Sequence, residues 1–402
     1  MLIELKFKNY LSFRDETTFL MTAVKSFKEH LNDNIIKTKR DFDLLKCAAV
    51  YGTNGGGKSN FMTAINLMSK VVFTSYSNSL LKEEDKPLQD YQFNLNSKTE
   101  NENTMFELSF LLDSEIYRYG FEIRGYEIKK EWLFKKVERE VLLFERNNNH
   151  FEINKESFSE GLKYKDDVNS NVLFISHLAQ NNQPISKLVT NWFSDINVIS
   201  GSHEQSYDKF TTKLLKKDKN FKIWAASVLK YLEISNIEAG EKDGEIITYH
   251  NRYDENNFLI DTFPFSTAME SEGTKKLIHI LGPIYDTLRT GKVLFIDEFN
   301  SKLHTNLSKR LLTFFNSLNK RNAQIIFSGH DTNLLDKNLL RRDQIWFIDK
   351  DQFGASELYS LSEFNTKAVR NTSAFDKKYL ENEFGAADAL NVNHKLIDLL
   401  YG

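Results

Sequence analysis

Gly52-Thr53-Asn54-Gly55-Gly56-Gly57-Lys58-Ser59 is the stretch on which the fold turns. It fits G-x-x-x-x-G-K-[ST], and each residue type has a physical task there. Glycines let successive backbone N–H groups turn inward toward phosphate oxygens, and a helix opening at the end of the loop adds its positive dipole. Lys58 reaches the β- and γ-phosphates, and the Ser59 hydroxyl is a ligand for Mg²⁺. Gly52, Asn54, Gly55, Gly57, Lys58, Ser59 and Asn60 are therefore the expected nucleotide-binding residues. On one side, the mostly apolar run Leu44 to Tyr51 predicts a buried strand. On the other, Phe61, Ile65, Met68 and Val72 recur at helical spacing, which predicts a helix from near Lys58.

A phosphate loop does not by itself separate kinases, GTPases, helicases and ABC-type ATPases, so the remaining motifs decide. Val293-Leu294-Phe295-Ile296-Asp297-Glu298 is four apolar residues ending in two carboxylates. A buried strand delivers Asp297 beside the metal, while Glu298, one residue on, points elsewhere and can activate the attacking water. The adjacent pair speaks against a small-molecule kinase. Further on, Ile325-Ile326-Phe327 runs into Ser328-Gly329-His330-Asp331, and a histidine at that strand end can contact the γ-phosphate. Upstream, Glu270-Ser271-Glu272-Gly273-Thr274 precedes the apolar run Leu277 to Leu281, 24 residues from Gly273 to Asp297. A Ser-x-Gly opening a helix offers a hydroxyl, free N–H groups and a dipole to an anion.

The chain has 402 residues, more than the ~250–300 at which one core stops growing, so two lobes are expected. With 53 Lys+Arg against 56 Asp+Glu there is no global basic field, and any nucleic-acid affinity must be local. One cysteine, Cys47, excludes a disulfide framework and a cysteine-based zinc site, and its apolar setting predicts a core residue. No run of ~18 apolar residues occurs, and the N-terminus lacks an apolar signal core; a cytoplasmic protein without membrane contact is expected.

Along the chain, Phe106 to Ile123 alternates on both sides of Asp113-Ser114 and predicts a hairpin, extended by strands at Glu131–Phe134 and Val141–Phe144. Tyr207 to Leu232 turns helical and lysine-rich. Strands at Val293–Ile296, Ile325–Phe327 and Ile345–Ile348, with a helix at about Leu307–Leu318, predict a parallel sheet with covering helices. No heptad pattern persists, so long coiled-coil arms are not expected.

With these four elements in order, the chain resembles the ABC-type ATPases of the SMC/RecF kind: Walker A at Gly52–Ser59, signature at Ser271 and Gly273, Walker B at Asp297 and Glu298, switch histidine at His330. Several segments also look like the small ATPases of bacterial phage-defence and abortive-infection operons, of the AriA (PARIS), RloA and AbiL kind. These are Tyr117–Ile123, Glu131-Trp132-Leu133, Leu303-His304, His330–Asp336 and, most specific, Leu339–Phe347. The resemblance implies an α/β P-loop NTPase fold of the ABC-ATPase head type: a mixed central sheet, an antiparallel β-subdomain and a helical lid insertion. The expected division is a single head in two lobes, residues 1–200 with Walker A and the β-subdomain and 266–402 with signature, Walker B and His330, joined by the lid at 201–265.

It further implies ATP and Mg²⁺ as cofactors, Ser59 and Asp297 as metal ligands, and Glu298 and His330 as catalytic residues. Nucleotide would be sandwiched head-to-tail between two copies, with Ser271 and Gly273 of one touching the γ-phosphate held at Lys58 of the other. A Q-loop glutamine belongs to such sites, nucleotide-binding and near the metal; Gln180 and Gln183 are the candidates, Gln180 preferred. Two departures stand out: Glu272 lies where relatives carry glycine, and Gly329 where they often carry threonine.

Two further features bear on other chemistry. Asp349-Lys350-Asp351 spells the D-x-D of a Toprim nuclease, as in the overcoming-lysogeny (OLD) nucleases, but too few residues follow for that fold, and a turn at a strand end is the preferred reading. The run Lys213–Lys222 with Phe221 and Trp224 reads either as a nucleic-acid surface or, preferred, as a solvated helix. The expected function is that of a sensor and scaffold ATPase in an anti-phage defence system, controlling a separately encoded toxic effector of the Toprim-like or HNH nuclease kind, with a phage-derived trigger. The alternative is a RecF/SMC-like repair ATPase that binds DNA.

Overall fold

The computed structural model describes residues 1–77, 91–199, 206–242, 244–364 and 374–387. The chain opens with strands β1 (Leu2–Lys8) and β2 (Thr17–Leu20), the short pair β3 (Ile35–Ile36) and β4 (Leu44–Leu45), then β5 (Cys47–Gly52) and helix α1 (Lys58–Thr74). A meander follows: β6 (Thr104–Leu112), β7 (Glu115–Arg124), β8 (Glu127–Lys136), β9 (Glu140–Asn147) and β10 (His150–Ile153). Helices α2 (Phe174–Gln180) and α3 (Pro184–Phe193) lead to β11 (Ile196–Ile199). Next come α4 (Ser206–Lys217), α5 (Lys219–Leu229) and strands β12 (Ile234–Ala239), β13 (Ile246–Tyr253) and β14 (Leu259–Ser266). The last part holds α6 (Glu272–Thr290), β15 (Val293–Ile296), α7 (Thr305–Leu318), β16 (Gln324–Ser328), β17 (Ile345–Lys350), β18 (Ser356–Ser360) and α8 (Phe375–Leu380).

Two large sheets face each other. The first is antiparallel, ordered β10-β9-β8-β7-β6-β1-β2, and contains the expected hairpin about Asp113-Ser114, with Phe110 opposite Tyr117. The second runs β11-β15-β16-β5-β17-β18, parallel except at its β18 edge. Side chains of β5 alternate between two cores: Ala48 and Val50 pack with α1 and the antiparallel sheet, while Cys47, Ala49 and Tyr51 pack with α6 and α7. A strand buried on both faces needs a continuous apolar run, as β5, β15 and β16 each have. Cys47 is fully buried, as its setting predicted, and burial pushes its thiol up to about 12.

The segment Leu339–Phe347 is a buried polar keystone. Arg341 is wholly buried; it donates to Asp343 Oδ1 and Oδ2 at 2.9 and 2.7 Å and to the carbonyls of Val24, Phe27 and Glu29. Gln344 Nε2 donates to the Cys47 carbonyl at 2.9 Å, so this segment fixes the strand that carries the glycine-rich loop.

The stretch 201–265 departs from the expected helical lid, and residues 201–205 at its start lie outside the described residues. Helical structure ends at Leu232, after a short 3-10 turn; Ile234 to Ser266 form a separate antiparallel sheet, β12-β13-β14. The physical reason is local. Ile246-Ile247-Thr248-Tyr249 is β-branched and aromatic, with Ile246 and Thr248 buried and their neighbours more open, a period of two rather than 3.6. Within the helices, Phe221 is buried and Trp224 packs 5.3 Å from the Tyr285 ring, while Lys222 pairs with Glu238 at 2.6 Å. These aromatics are core-facing, in keeping with a solvated helix.

Candidate nucleotide site

The loop after β5 is held so tightly that two positions exclude any side chain. A Cβ at Gly52 would lie 2.1 Å from the Ile348 carbonyl oxygen of β17. Gly57 has φ 118°, and a Cβ there would lie 2.5 Å from Ser356 Oγ and 2.8 Å from Ser12 Oγ. Those serines are themselves joined, since Ser356 N donates to the Ser12 carbonyl at 2.7 Å, and Asn60 Nδ2 donates to Ser12 Oγ at 2.8 Å. Gly57 caps α1 without a side chain and the first turn contains no acid, so neither a capping side chain nor a like charge competes with an anion at this helix N-terminus. Lys58 is buried; its ammonium curls over the loop to the carbonyls of Gly52 and Thr53 at 2.7 and 2.9 Å. Asn54, Gly55 and Ser59 are exposed on the same loop.

The acidic pair stands one strand removed. β16 lies between β15 and β5, so the carboxylates and the loop are separated by two strand spacings, about 10 Å. A phosphate and its metal fit in such a gap. Asp297 is buried; its N–H donates to the Ile199 carbonyl and its Oδ1 accepts from Ser328 Oγ at 2.5 Å. The same Ser328 Oγ accepts from Glu298 N at 2.8 Å. Glu298 has φ 52°, a left-handed conformation that costs a non-glycine residue about 1–3 kcal/mol and turns its side chain off the line of β15. His330 follows the end of β16, exposed, its N–H donating to Asn300 Oδ1 at 3.2 Å. The next residue, Asp331, is anchored from both sides, accepting from Thr305 Oγ1 on its carboxylate and from Tyr51 OH on its carbonyl. Burial works to raise the Asp331 carboxyl, but the hydrogen bonds from Thr305 and Asn333 bring it below its ordinary range.

Ser59 and Asp297 offer a hydroxyl and a carboxylate. That all-oxygen set, completed by phosphate oxygens and water, is the donor chemistry Mg²⁺ takes at nucleotide sites, so the residues fit the metal.

Ser271 is the N-cap of α6, accepting from Thr274 N at 3.2 Å, and is exposed. A Cβ at Gly273 would lie 2.6 Å from the Lys302 carbonyl oxygen, which explains the glycine: the first turn of α6 presses on the segment that follows Glu298. Glu272 is paired with Lys275 at 2.9 Å and Lys302 at 3.2 Å, which hold its carboxyl below the usual range. Its charge is therefore compensated where relatives place glycine. Ser271 bonds Thr274 and Lys275 of its own helix, and Gly273 lies against Lys302.

Residues 47–336 match the family described as "AAA domain, putative AbiEii toxin, Type IV TA system". The chain belongs to that family. Its fold is a P-loop NTPase of the ABC-ATPase type, with the strand order and loop just described. Among solved structures it is similar to the SMC head domain from Thermotoga maritima, at 13% identity and TM-score 0.45 over 89% of this chain and 98% of that one. It is also similar to an SMC head bound to the C-terminal winged-helix domain of ScpA, at 12% identity and TM-score 0.43 over 92% and 99%. No curated protein matches the chain. Among the described residues, no helix is long and apolar enough to cross a membrane.

Not every expected residue reaches the site. Ser176 Oγ on α2 donates to the Val72 carbonyl at 2.6 Å, and Leu173 N to Ser75 Oγ at 3.3 Å. These bonds pin α2 to the far end of α1, about 21 Å along the helix from Lys58. Gln180 ends α2 there, exposed, and Gln183 bonds locally to Asn181 O, so neither is brought to the loop. Their polar Gln-Asn-Asn-Gln setting belongs to a helix end. Asp351 closes the turn between β17 and β18, accepting from Phe353 N and Ala355 N. Ser328 and Lys276 were missed in the sequence; Ser12 and Ser356, far apart in the chain, carry no local signal there.

Proposed function

We propose that this chain is an ATP-binding and hydrolysing switch of a bacterial defence or toxin–antitoxin system, in which two heads close on ATP and thereby hold or release a separately encoded toxic effector. The observation that carries the reading is the division of the site. Lys58, Asp297, Glu298 and His330 lie on or next to the ends of the neighbouring strands β5, β15 and β16, whereas Ser271 is the exposed cap of a helix whose body is buried. An exposed hydroxyl and helix N-terminus suit the γ-phosphate bound by a second copy. The family's name, with its toxin and type IV toxin–antitoxin terms, and the resemblance to phage-defence ATPases support the biological setting. The two-lobed division with an inserted module at about 201–265 is part of the same reading.

In this mechanism the loop amides and Lys58 bind the phosphates; Ser59 and Asp297 would hold Mg²⁺, whose charge would be supplied to the transferred phosphoryl oxygens. Ser328 orients Asp297 and fixes the Glu298 backbone. Glu298 takes a proton from the attacking water, and His330 donates toward the γ-phosphate. Hydrolysis then loosens the pair.

The deciding experiment uses Glu298→Gln. With ATP and Mg²⁺ it should accumulate as an associated species in light scattering, while ADP leaves it dissociated and turnover falls by roughly 10²–10⁴-fold. Unchanged turnover removes Glu298 as the base, and a monomer under every nucleotide condition overturns head pairing. Co-purification with the operon neighbour, with and without ATP, tests the effector.

A further inference from the structure

We propose that Lys276 is a positioning residue for Glu298, carrying the state of the α6 N-terminus to the carboxylate that activates water. Lys276 is 2% exposed, and its ammonium donates to the Glu298 carbonyl oxygen at 2.7 Å. A lysine is rarely so deeply buried unless its charge is bonded to something specific. Here one partner is the backbone of the residue held at φ 52°. The backbone of Glu298 is held on both sides: Ser328 Oγ accepts its N–H from the β16 side, and Lys276 Nζ donates to its carbonyl from the α6 side.

The same helix touches the next residues of the turn. Gly273 lies against the Lys302 carbonyl, and Glu272 pairs with Lys302 at 3.2 Å. Ser271, Glu272, Gly273 and Lys276 thus form one rigid edge, with Ser271 at its exposed end and Lys276 at its buried end. A load on Ser271 moves the helix as a unit, and the lysine passes that movement to Glu298. The general base is set from the signature helix of its own head. This rests on the head-pairing reading for what presses on Ser271, and on the structure alone for the link to Glu298.

The test compares Lys276→Met, Lys276→Gln and Lys276→Arg in the full-length chain. For Lys276→Met, kcat should fall about 10- to 100-fold, the scale of a slightly misplaced reacting group, with KM for ATP and nucleotide affinity unchanged. Lys276→Arg, which still presents a donor, should recover part of the lost kcat. In a Glu298→Gln background Lys276→Met should lower turnover no further, because the two act through one step. Equal losses on both backgrounds, or an unchanged kcat, overturn the proposal. If Lys276→Met lowers the melting temperature so far that folding is in doubt, Lys276→Gln and Lys276→Arg carry the same comparison. Absence of ATP-driven association in the unmodified chain would count against head pairing only, and the non-additivity with Glu298 would still decide the role of Lys276.

Discussion

Ser328 Oγ donates to Asp297 Oδ1 at 2.5 Å, across 31 positions of sequence. The contact exists because Ile296 and Phe327 are register partners in β15 and β16, which places the next residue of each strand side by side. One hydroxyl therefore ties the two acids together, donating to the Asp297 carboxylate and accepting the Glu298 N–H.

Ser328→Ala should disturb both at once. A hydrogen bond to a charged group contributes about 1.5–3 kcal/mol, and leaving the buried Asp297 oxygen unpaired adds to the loss. The expected result is a lower kcat and a higher Mg²⁺ concentration for half-maximal activity, read from Mg²⁺ titrations of ATPase rate. An unshifted Mg²⁺ requirement would mean that Asp297 does not serve the metal.

Lys58→Ala should weaken ATP binding by about 100-fold or more, since charge-assisted bonds to phosphate are lost. Lys58 is buried and bonds the carbonyls of Gly52 and Thr53, so the melting temperature without nucleotide should also fall, by an amount that is separate from the loss of ATP binding. Titration with a fluorescent ATP analogue measures the first, thermal unfolding the second. Tight binding by the variant would refute the assignment of the loop.

Ser271→Arg places a bulky cation at an exposed helix N-terminus, costing roughly 1 kcal/mol for the cap with an unfavourable dipole term added. ATP should still bind to the single head. ATP-driven association, followed by light scattering in the Glu298→Gln background, should disappear. Association that survives the substitution would show that Ser271 does not face a second copy.

Arg341→Met removes the cation paired with buried Asp343, leaving that carboxylate the Val24 N–H, and takes the guanidinium donor from the carbonyls of Val24, Phe27 and Glu29. Breaking such a buried pair typically costs about 3–5 kcal/mol. Cys47, whose carbonyl and sulfur both accept from Gln344, is an internal reporter. Thiol labelling near neutral pH should be very slow in the unmodified chain and much faster in the variant. Equal labelling rates would place the keystone elsewhere.

What was legible in the sequence follows from range. The loop, its helix and the acidic strand are local patterns, each decided by fewer than about 20 neighbouring residues, and they were readable as such. The hairpin about Asp113-Ser114 was readable for the same reason. Ser12 and Ser356 were not, because their roles arise only when β17 and β18 fold beside the loop. Lys276 was not readable either, since nothing local shows that the left-handed turn at Glu298 brings a carbonyl to it. Gln180 failed for the converse reason: its polar run resembles a functional loop but terminates a helix anchored far from Lys58. The β12–β14 sheet was hidden by the lysine-rich helices before it, which suggested that the helical pattern continued.

The placement of β16 between the loop strand and the acidic strand limits how the chain can change in length. Four consecutive positions, Phe327 to His330, supply a register partner, the hydroxyl shared by both acids, a close approach to Tyr51 and Asn300, and the exposed histidine. Inserting or deleting one residue there would shift all four roles together, and no compensating substitution restores them one at a time. The exposed turn at 254–258, between β13 and β14 of the small sheet, bonds within itself and should accept added residues or a fused tag.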